Sequence, residues 1–209
     1  HDVRDDVWDP AATVLARGKH VLWTVQGKQN TVYLLGSIHV LREGDAALSE
    51  VAERAYQDAE RLVMEIDLDD PGEADPMAML EIMQRLAMLP EGQSLRGVLG
   101  SDYASLSQRA QQAGLDLALL DRFAPWLVAT TLLQLELAKR GFSAELGIEQ
   151  VLARRAAADD KPIQGLETTA QQLELLAGMP MPMQKRFLIM TLDESAELDR
   201  EIGELVRAW

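Results

Sequence analysis

The stretch TVYLLGSIHVLREGDAALSEVAERAYQDAERLVMEIDL, residues 31–68, decides the fold. Its first segment, residues 31–36, is rich in β-branched and aromatic side chains and predicts a strand. Residues 43–60 carry apolar side chains at helical spacing, and residues 61–68 return to strand character. The order strand, helix, strand predicts a crossover unit whose two strands are parallel neighbours.

The segment upstream of this unit predicts a hairpin. HVLWTVQ, residues 20–26, is a second run of strand-forming side chains, and the polar tetrapeptide GKQN separates it from residue 31. A short polar turn between two such runs is typical of antiparallel strands. The chain therefore opens with a β-hairpin.

The remainder is predicted to be mostly helical. Helices are expected at 76–89, 101–113, 125–140 and 145–160, a short strand at 161–167, and helices from there to residue 209. The sequence thus predicts an α/β fold: a mixed sheet with a leading hairpin and a parallel strand-helix-strand unit, a helical insertion at about 76–158, and C-terminal helices. One domain is expected over residues 1–209.

Residue types at the ends of two predicted helices support their boundaries. Ser101 is a candidate N-cap for helix 101–113, and Gly114 follows its last turn. Pro125 suits the first turn of helix 125–140, and Gly141 follows its end.

Composition excludes several classes of function. The chain has 209 residues, 47% of them apolar, which is enough for a substantial core. Lys and Arg number 20 against 34 Asp and Glu, a formal charge of −14, so a nucleic-acid partner is not expected. The longest uncharged stretch, residues 123–135, is shorter than the roughly 20 residues that a membrane span needs. The absence of cysteine excludes disulfides, thiolate nucleophiles and cysteine-based zinc sites.

Three side chains follow predicted strands and are candidates for chemistry. His39 comes after strand 31–36, Glu65 lies near the end of strand 61–68, and Glu167 follows the strand residues 162–166. If these strands are parallel neighbours, the side chains converge at the sheet edge where α/β proteins place ligands. An imidazole and two carboxylates suit Mn²⁺, Co²⁺ or Zn²⁺, which would activate a water molecule for hydrolysis.

Each of these residues also has a structural explanation. His39 could be a hydrogen-bonded histidine without a ligand, and Glu65 could belong to a solvated strand edge together with Asp67 and Asp69. Glu167 could open a helix, where the dipole favours an acid. Gly36 allows a sharp turn or a close approach at the strand end under either interpretation.

Two segments of the chain resemble the Tiki/TraB/GumN family. VYLLGSIHVLREGDAALSEVAERAYQDAERLVMEIDL is similar to the family's opening, with its G-x-x-H motif and a glutamate on the next strand. ELGIEQVLARRAAADDKPIQGLETTAQQLELL is similar to its central block. The resemblance begins near Trp23 and covers nearly all of the chain from there.

The resemblance implies an α/β fold and a metal-dependent hydrolase with a peptide or protein substrate, exported to the periplasm in bacteria. Carried over by position, His39 and Glu65 would be catalytic, His39, Glu65 and Glu167 would hold the divalent ion, and Gly36 and Glu149 would support them. A non-catalytic protein that binds a peptide or envelope component in the same cleft is the alternative.

One element of the family pattern is lacking. The family carries a second G-x-x-H motif near its C-terminus, and no histidine follows His39 in this chain. The final helical pattern also runs to Trp209 without a capping residue. The expectation is therefore a C-terminally truncated domain, without its leader peptide, that is inactive as it stands and tends to form homo-oligomers through exposed apolar surface.

Overall fold

A computed structural model describes residues 21–45, 48–67, 70, 75–194 and 197–208 of the chain. It opens with strands β1, Leu22–Gln26, and β2, Thr31–Leu35, paired antiparallel. Asn30 O accepts a hydrogen bond from Gly27 N at 2.8 Å and closes the turn between them. The predicted hairpin is confirmed for these residues, while residue 20 lies outside the described ranges.

A second small sheet contains the other two strands. β3, Leu62–Met64, and β4, Ile163–Gly165, are parallel, with Val63 opposite Gln164. Both strands are shorter than predicted, because the chain bends after residue 64 and after residue 165. The α/β class is confirmed, with one antiparallel and one parallel sheet among the described residues.

The predicted pairing of strand 31–36 with strand 61–68 is wrong. Over the described ranges, β2 pairs with β1 and β3 pairs with β4, and the two sheets remain separate. A hairpin needs only a short turn, so β2 takes its sequence neighbour. β3 pairs with a strand about a hundred residues further along the chain. The order strand, helix, strand within residues 31–68 carries no information about a partner so distant in sequence.

The helices mostly lie where periodicity predicts them. Their bounds are α1 Glu50–Asp58, α2 Pro76–Ala87, α3 Leu95–Leu99, α4 Tyr103–Gln112, α5 Pro125–Lys139, α6 Ile148–Ala158, α7 Thr169–Ala177, α8 Met181–Glu194 and α9 Leu198–Ala208. Pro125 opens α5 as predicted, and Gly114 and Gly141 follow α4 and α5 with φ of +87° and +79°.

Two local details differ from the prediction. Ser101 does not cap α4; it lies inside the 3₁₀ turn Gly100–Asp102, which leads directly into the helix. The short helix α3 was not predicted. Its five residues span barely more than one turn, too short for an apolar period to be recognised.

Buried apolar side chains form two clusters. The larger one, which we call the helical cluster, is built mainly from α3, α4, α5 and α8, with Trp126 and Leu132 at its centre. The smaller one, the sheet-side cluster, consists of Ile38, Leu41, Tyr56, Ile148 and Leu152. Because the chain segment after β2 and the helices α1 and α6 all contribute to the sheet-side cluster, it fixes the surroundings of His39.

In the described ranges, every helix is too short or too polar to pass through a bilayer.

Candidate functional site

The segment that carries His39 is anchored by its neighbours on both sides. Ile38 and Leu41 are buried in the sheet-side cluster. Leu41 also forms an isolated antiparallel bridge with Ser143, with N–O distances of 3.2 and 2.9 Å. Ile148 N at the start of α6 donates to Ile38 O at 3.0 Å. His39 therefore has a fixed backbone while its side chain, 68% exposed, extends into solvent.

The nearest described acid to His39 is Glu149. His39 Nδ1 lies 2.9 Å from Glu149 Oε1, and Glu149 stands in the first turn of α6, where the helix dipole favours a carboxylate. Oε1 is inaccessible to solvent, yet it has no well-aligned hydrogen bond from a described residue. The contact between His39 and Glu149 is therefore a close approach that lacks hydrogen-bond geometry.

Gly147 explains how α6 can come so close to this segment. A Cβ built on Gly147 would lie 2.3 Å from His39 O and 2.7 Å from its carbonyl carbon. Its φ of −57° and ψ of 150° are accessible to other residues, so the requirement is for space and not for backbone freedom. The glycine allows the start of α6, and with it Glu149, to reach the His39 backbone.

Gly36 has a similar but milder role at the end of β2. A Cβ at this position would lie 3.2 Å from the Cβ of Val21, which is tighter than an ordinary van der Waals contact. Gly36 N donates to Val21 O at 2.7 Å. The close approach expected of this glycine is present, and it keeps the hairpin paired up to the residues that lead to His39.

Glu65 and Glu167 converge at the ends of the two parallel strands. Glu167 N donates to Glu65 O at 2.9 Å. Gln172, on α7, joins the two side chains through its Nε2, which lies 3.3 Å from Glu65 Oε2 and 3.0 Å from Glu167 Oε1. Neither glutamate forms an ion pair with a described Lys or Arg. The Gln172 amide is the described group that contacts both carboxylates.

The local sequence produces this convergence. A Cβ on Gly165 would lie 2.9 Å from Asp67 N, so the glycine lets the chain after β3 cross close to β4. Thr168 and Gln171 then form a capping box that starts α7 directly after Glu167. The helix thereby turns Gln172 back over both carboxylates. Glu167 precedes the cap instead of belonging to the first helical turn.

The structure thus groups the predicted residues into two pairs. His39 lies against Glu149, whereas Glu65 lies with Glu167. Across the described part of the chain, no three His, Asp or Glu side chains are close enough together to hold a metal ion. Sequence analysis did not select Gln172. The available signal was a polar residue in the first turn of a helix that begins directly after a candidate glutamate.

A cavity of about 680 Å³ opens beside the second pair, between α2, β4 and the start of α7. Its apolar lining includes Met79, Ile82 and the side chain of Leu166, which is 73% exposed. Its acidic lining includes Asp67 and Glu167. Glu167 therefore borders a cavity whose surface can accept apolar groups.

Comparison with known proteins relates the chain to a family. The profile of the TraB/PrgY/gumN family matches residues 21–209. An uncharacterized protein of Treponema pallidum (strain Nichols) is 25% identical over 203 residues, which cover 94% of this chain and 59% of that protein. The uncharacterized protein YbaP is 26% identical over 169 residues in Shigella flexneri and in Escherichia coli (strain K12), covering 78% of this chain and 60% of each relative. No solved structure matches.

The chain spans about 60% of the length of these curated relatives.

Proposed function

Because the chain belongs to the TraB/PrgY/gumN family, we propose that it contributes to a metal-dependent, peptidase-like hydrolase of the bacterial cell envelope. The observation that carries the proposal is the glutamate pair. Glu65 and Glu167 meet at the ends of parallel strands, share the amide of Gln172, and have no described cation between them. Adjacent carboxylates repel one another, so a cation at this place would be attracted by both.

The described residues fit part of a metal site. Two glutamates supply hard oxygen ligands of the kind that Mn²⁺ accepts, and Gln172 orients them from outside. They do not form a complete ligand set, since no third His, Asp or Glu is grouped with them in the described ranges. A divalent ion in a completed site would act as a Lewis acid and lower the pKa of a bound water.

In a completed site, His39 would contribute through its other ring nitrogen, although the described residues do not group it with the two glutamates. Because Nδ1 lies 2.9 Å from Glu149 Oε1, Nε2 is the nitrogen left for a ligand or a proton, and the imidazole is largely exposed. Metal-binding histidines commonly have a carboxylate on their second nitrogen, which fixes the tautomer and raises the basicity of the ring. Glu149 would be the residue that positions His39. Glu65 would be a metal ligand or the general base.

A titration tests whether the glutamate pair binds metal. The 209-residue chain is titrated with Mn²⁺, Co²⁺ and Zn²⁺ by calorimetry, beside the variants Glu65→Gln and Glu167→Gln. Glu81→Gln, which changes an exposed carboxylate on α2, is the matched control. We expect weak binding that both site variants abolish and the control retains. Equal affinity in all four proteins would contradict the assignment.

The hydrolytic part of the proposal is tested on the complete Escherichia coli relative. Purified protein is incubated with a peptide library and Mn²⁺, with and without a chelator, and cleavage is followed by mass spectrometry. Cleavage that the chelator stops supports the proposal. Absence of cleavage in every arm counts against a peptidase.

The cavity favours one second candidate, a non-catalytic protein that captures a peptide or envelope component. Its exposed Leu166 and the apolar lining residues Met79 and Ile82 could bind such a ligand without any chemistry. Chelation separates the two functions, because a binding protein keeps its affinity in chelator while a metallohydrolase loses turnover.

A further inference from the structure

The hairpin has an edge with which no described residue pairs. Gly36 N donates across the hairpin to Val21 O, and hydrogen-bonded pairs alternate along an antiparallel ladder. By this alternation, every second residue of β2 directs its main-chain groups at β1. The N–H and C=O groups of Tyr33 and Leu35 point the other way.

The parallel sheet has a similar edge on β3. Leu62 N donates to Pro162 O at 3.0 Å, which places residues 62 and 64 on the β4 side of the ladder. The main-chain groups of Val63 therefore face away from β4, and its side chain is 51% exposed. Within the described ranges no strand lies on this edge.

The two edges are on the same part of the molecule. Leu35 of β2 and Leu62 and Met64 of β3 all pack on the sheet-side cluster. Helix α1 connects the two strands, and Tyr33 Oη donates to Asp58 Oδ2 at its last turn at 2.7 Å. β2 and β3 thus flank a common helix without being hydrogen-bonded to each other.

The described strands of the hairpin carry no residue that would protect an edge against pairing. β1 and β2 contain no charged residue, although charged residues make up 26% of the chain. Natural proteins usually place lysine, proline or a bulge on strand edges that remain open. Val32 and Leu34, which lie on the solvent-exposed face of β2, are 44% and 53% exposed. Strands that are apolar on both faces are typical of sheet interiors. The pattern of β2 is that of a central strand.

We propose that an extended segment inserts between β2 and β3 and joins the two sheets in the order β1-β2-segment-β3-β4. Its main chain would bond to Tyr33 and Leu35 on one side and to Val63 on the other. We assign the segment to the part of the curated relatives that this chain does not match, which is about 40% of their length. Both edges suit an extended strand in which apolar and polar residues alternate. This strand pairing would not require a bound metal.

Peptide addition tests the proposal. Overlapping 20-residue peptides that tile the unmatched part of the Escherichia coli relative are added one at a time to the 209-residue chain. Amide hydrogen exchange is then followed by NMR. We expect one region of the tiling to slow exchange at Tyr33, Leu35 and Val63 together, by about tenfold or more. The same peptide with alternate residues N-methylated lacks the donors for one edge, so it should no longer slow exchange at all three residues together.

A variant gives an independent check. Tyr33→Pro removes one outward donor from β2, whereas Tyr33→Phe keeps it and removes only the hydroxyl. The peptide should bind Tyr33→Phe and lose affinity for Tyr33→Pro. If Tyr33→Pro does not fold, as judged by circular dichroism, the N-methylated peptide decides alone.

Three results would overturn the proposal. The first is that no tile slows exchange at the edges. The second is that exchange slows with protein concentration and without peptide, which would assign the edges to a second copy of the chain. The third is equal protection by unrelated peptides of alternating pattern, which would indicate capture of a substrate-like strand.

Discussion

Replacing Gly147 by alanine should lower stability and disturb His39 at the same time. The new Cβ would meet the carbonyl oxygen and carbon of His39 at 2.3 and 2.7 Å and Ala144 O at 3.0 Å. All three are main-chain atoms, so no side-chain rotation can relieve the overlap. Either α6 moves away from the segment after β2, or that segment moves away from α6.

The cost can be worked out from these contacts. Overpacking in a well-packed region costs about 1–3 kcal/mol. If α6 moves, the hydrogen bond from Ile148 N to Ile38 O is also lost, and both residues are buried. Leaving such groups unsatisfied costs about 1–3 kcal/mol. We therefore expect the free energy of unfolding to fall by about 2–6 kcal/mol.

Gly97→Ala is the matched control. It makes the same chemical change inside α3, where the new Cβ would meet nothing nearer than Ser94 Oγ at 3.5 Å. Alanine is favoured over glycine within a helix by about 0.8–1.0 kcal/mol, so this variant should be neutral or more stable. Urea unfolding of the three proteins gives the free energies, and the NMR signals of the His39 imidazole show whether its surroundings change.

Two results would refute this account. If Gly147→Ala is as stable as Gly97→Ala, the approach of α6 to His39 is not as close as the structure describes. If stability falls but the His39 signals do not move, the helix start yields without affecting the site. Gly147 would then be a packing residue only.

Further outcomes follow from other parts of the structure. His39→Ala should change the free energy of unfolding by less than about 0.5 kcal/mol, because the side chain is mostly exposed, while it weakens metal binding in a complete family member; thermal unfolding and metal titration check both. Leu41→Ala should cost about 2–5 kcal/mol, since Leu41 is fully buried in the sheet-side cluster, and urea unfolding measures it. Burial, with a hydrogen bond to Asp159, raises the pKa of Tyr56 to about 12. The folded state therefore holds this proton more tightly than the unfolded state, so its stabilising contribution is complete below about pH 10 and is lost between about pH 10 and 12; Tyr56→Phe should lack this part of the alkaline loss in pH-dependent unfolding. The 209-residue chain should show no Mn²⁺-dependent peptide cleavage, because no three His, Asp or Glu side chains in its described part are grouped closely enough to hold an ion, and robust turnover abolished by His39→Ala would contradict that.

The sequence determined the elements whose signals are local. The hairpin, the strand-helix-strand order of residues 31–68 and the bounds of α5 follow from side-chain periodicity and from Pro125 and Gly141. These signals reflect preferences of a few adjacent residues, so they can be read without a partner. Ser101 and α3 were misjudged because one helical turn is too short to give a period.

The candidate site was predicted only in part. Motif positions selected His39, Glu65, Glu149 and Glu167, but their grouping follows from contacts between distant segments. Gln172 reaches Glu65 across 107 positions of the chain. No local pattern selects such a contact, because it depends on how β4 and α7 dock.

Tertiary structure alone decided which strands pair. β3 is three residues long, and its own sequence fits either β2 or β4 as a neighbour. The choice depends on the free energy of the whole arrangement: the Gly165 backbone that admits the chain after β3, the ladder from Leu62 to Pro162, and the burial of Met64 on the sheet-side cluster. The free energy of pairing β3 with β4 is gained only after the long chain segment between them has closed into a loop. The residues of β3 alone therefore do not determine which strand it pairs with.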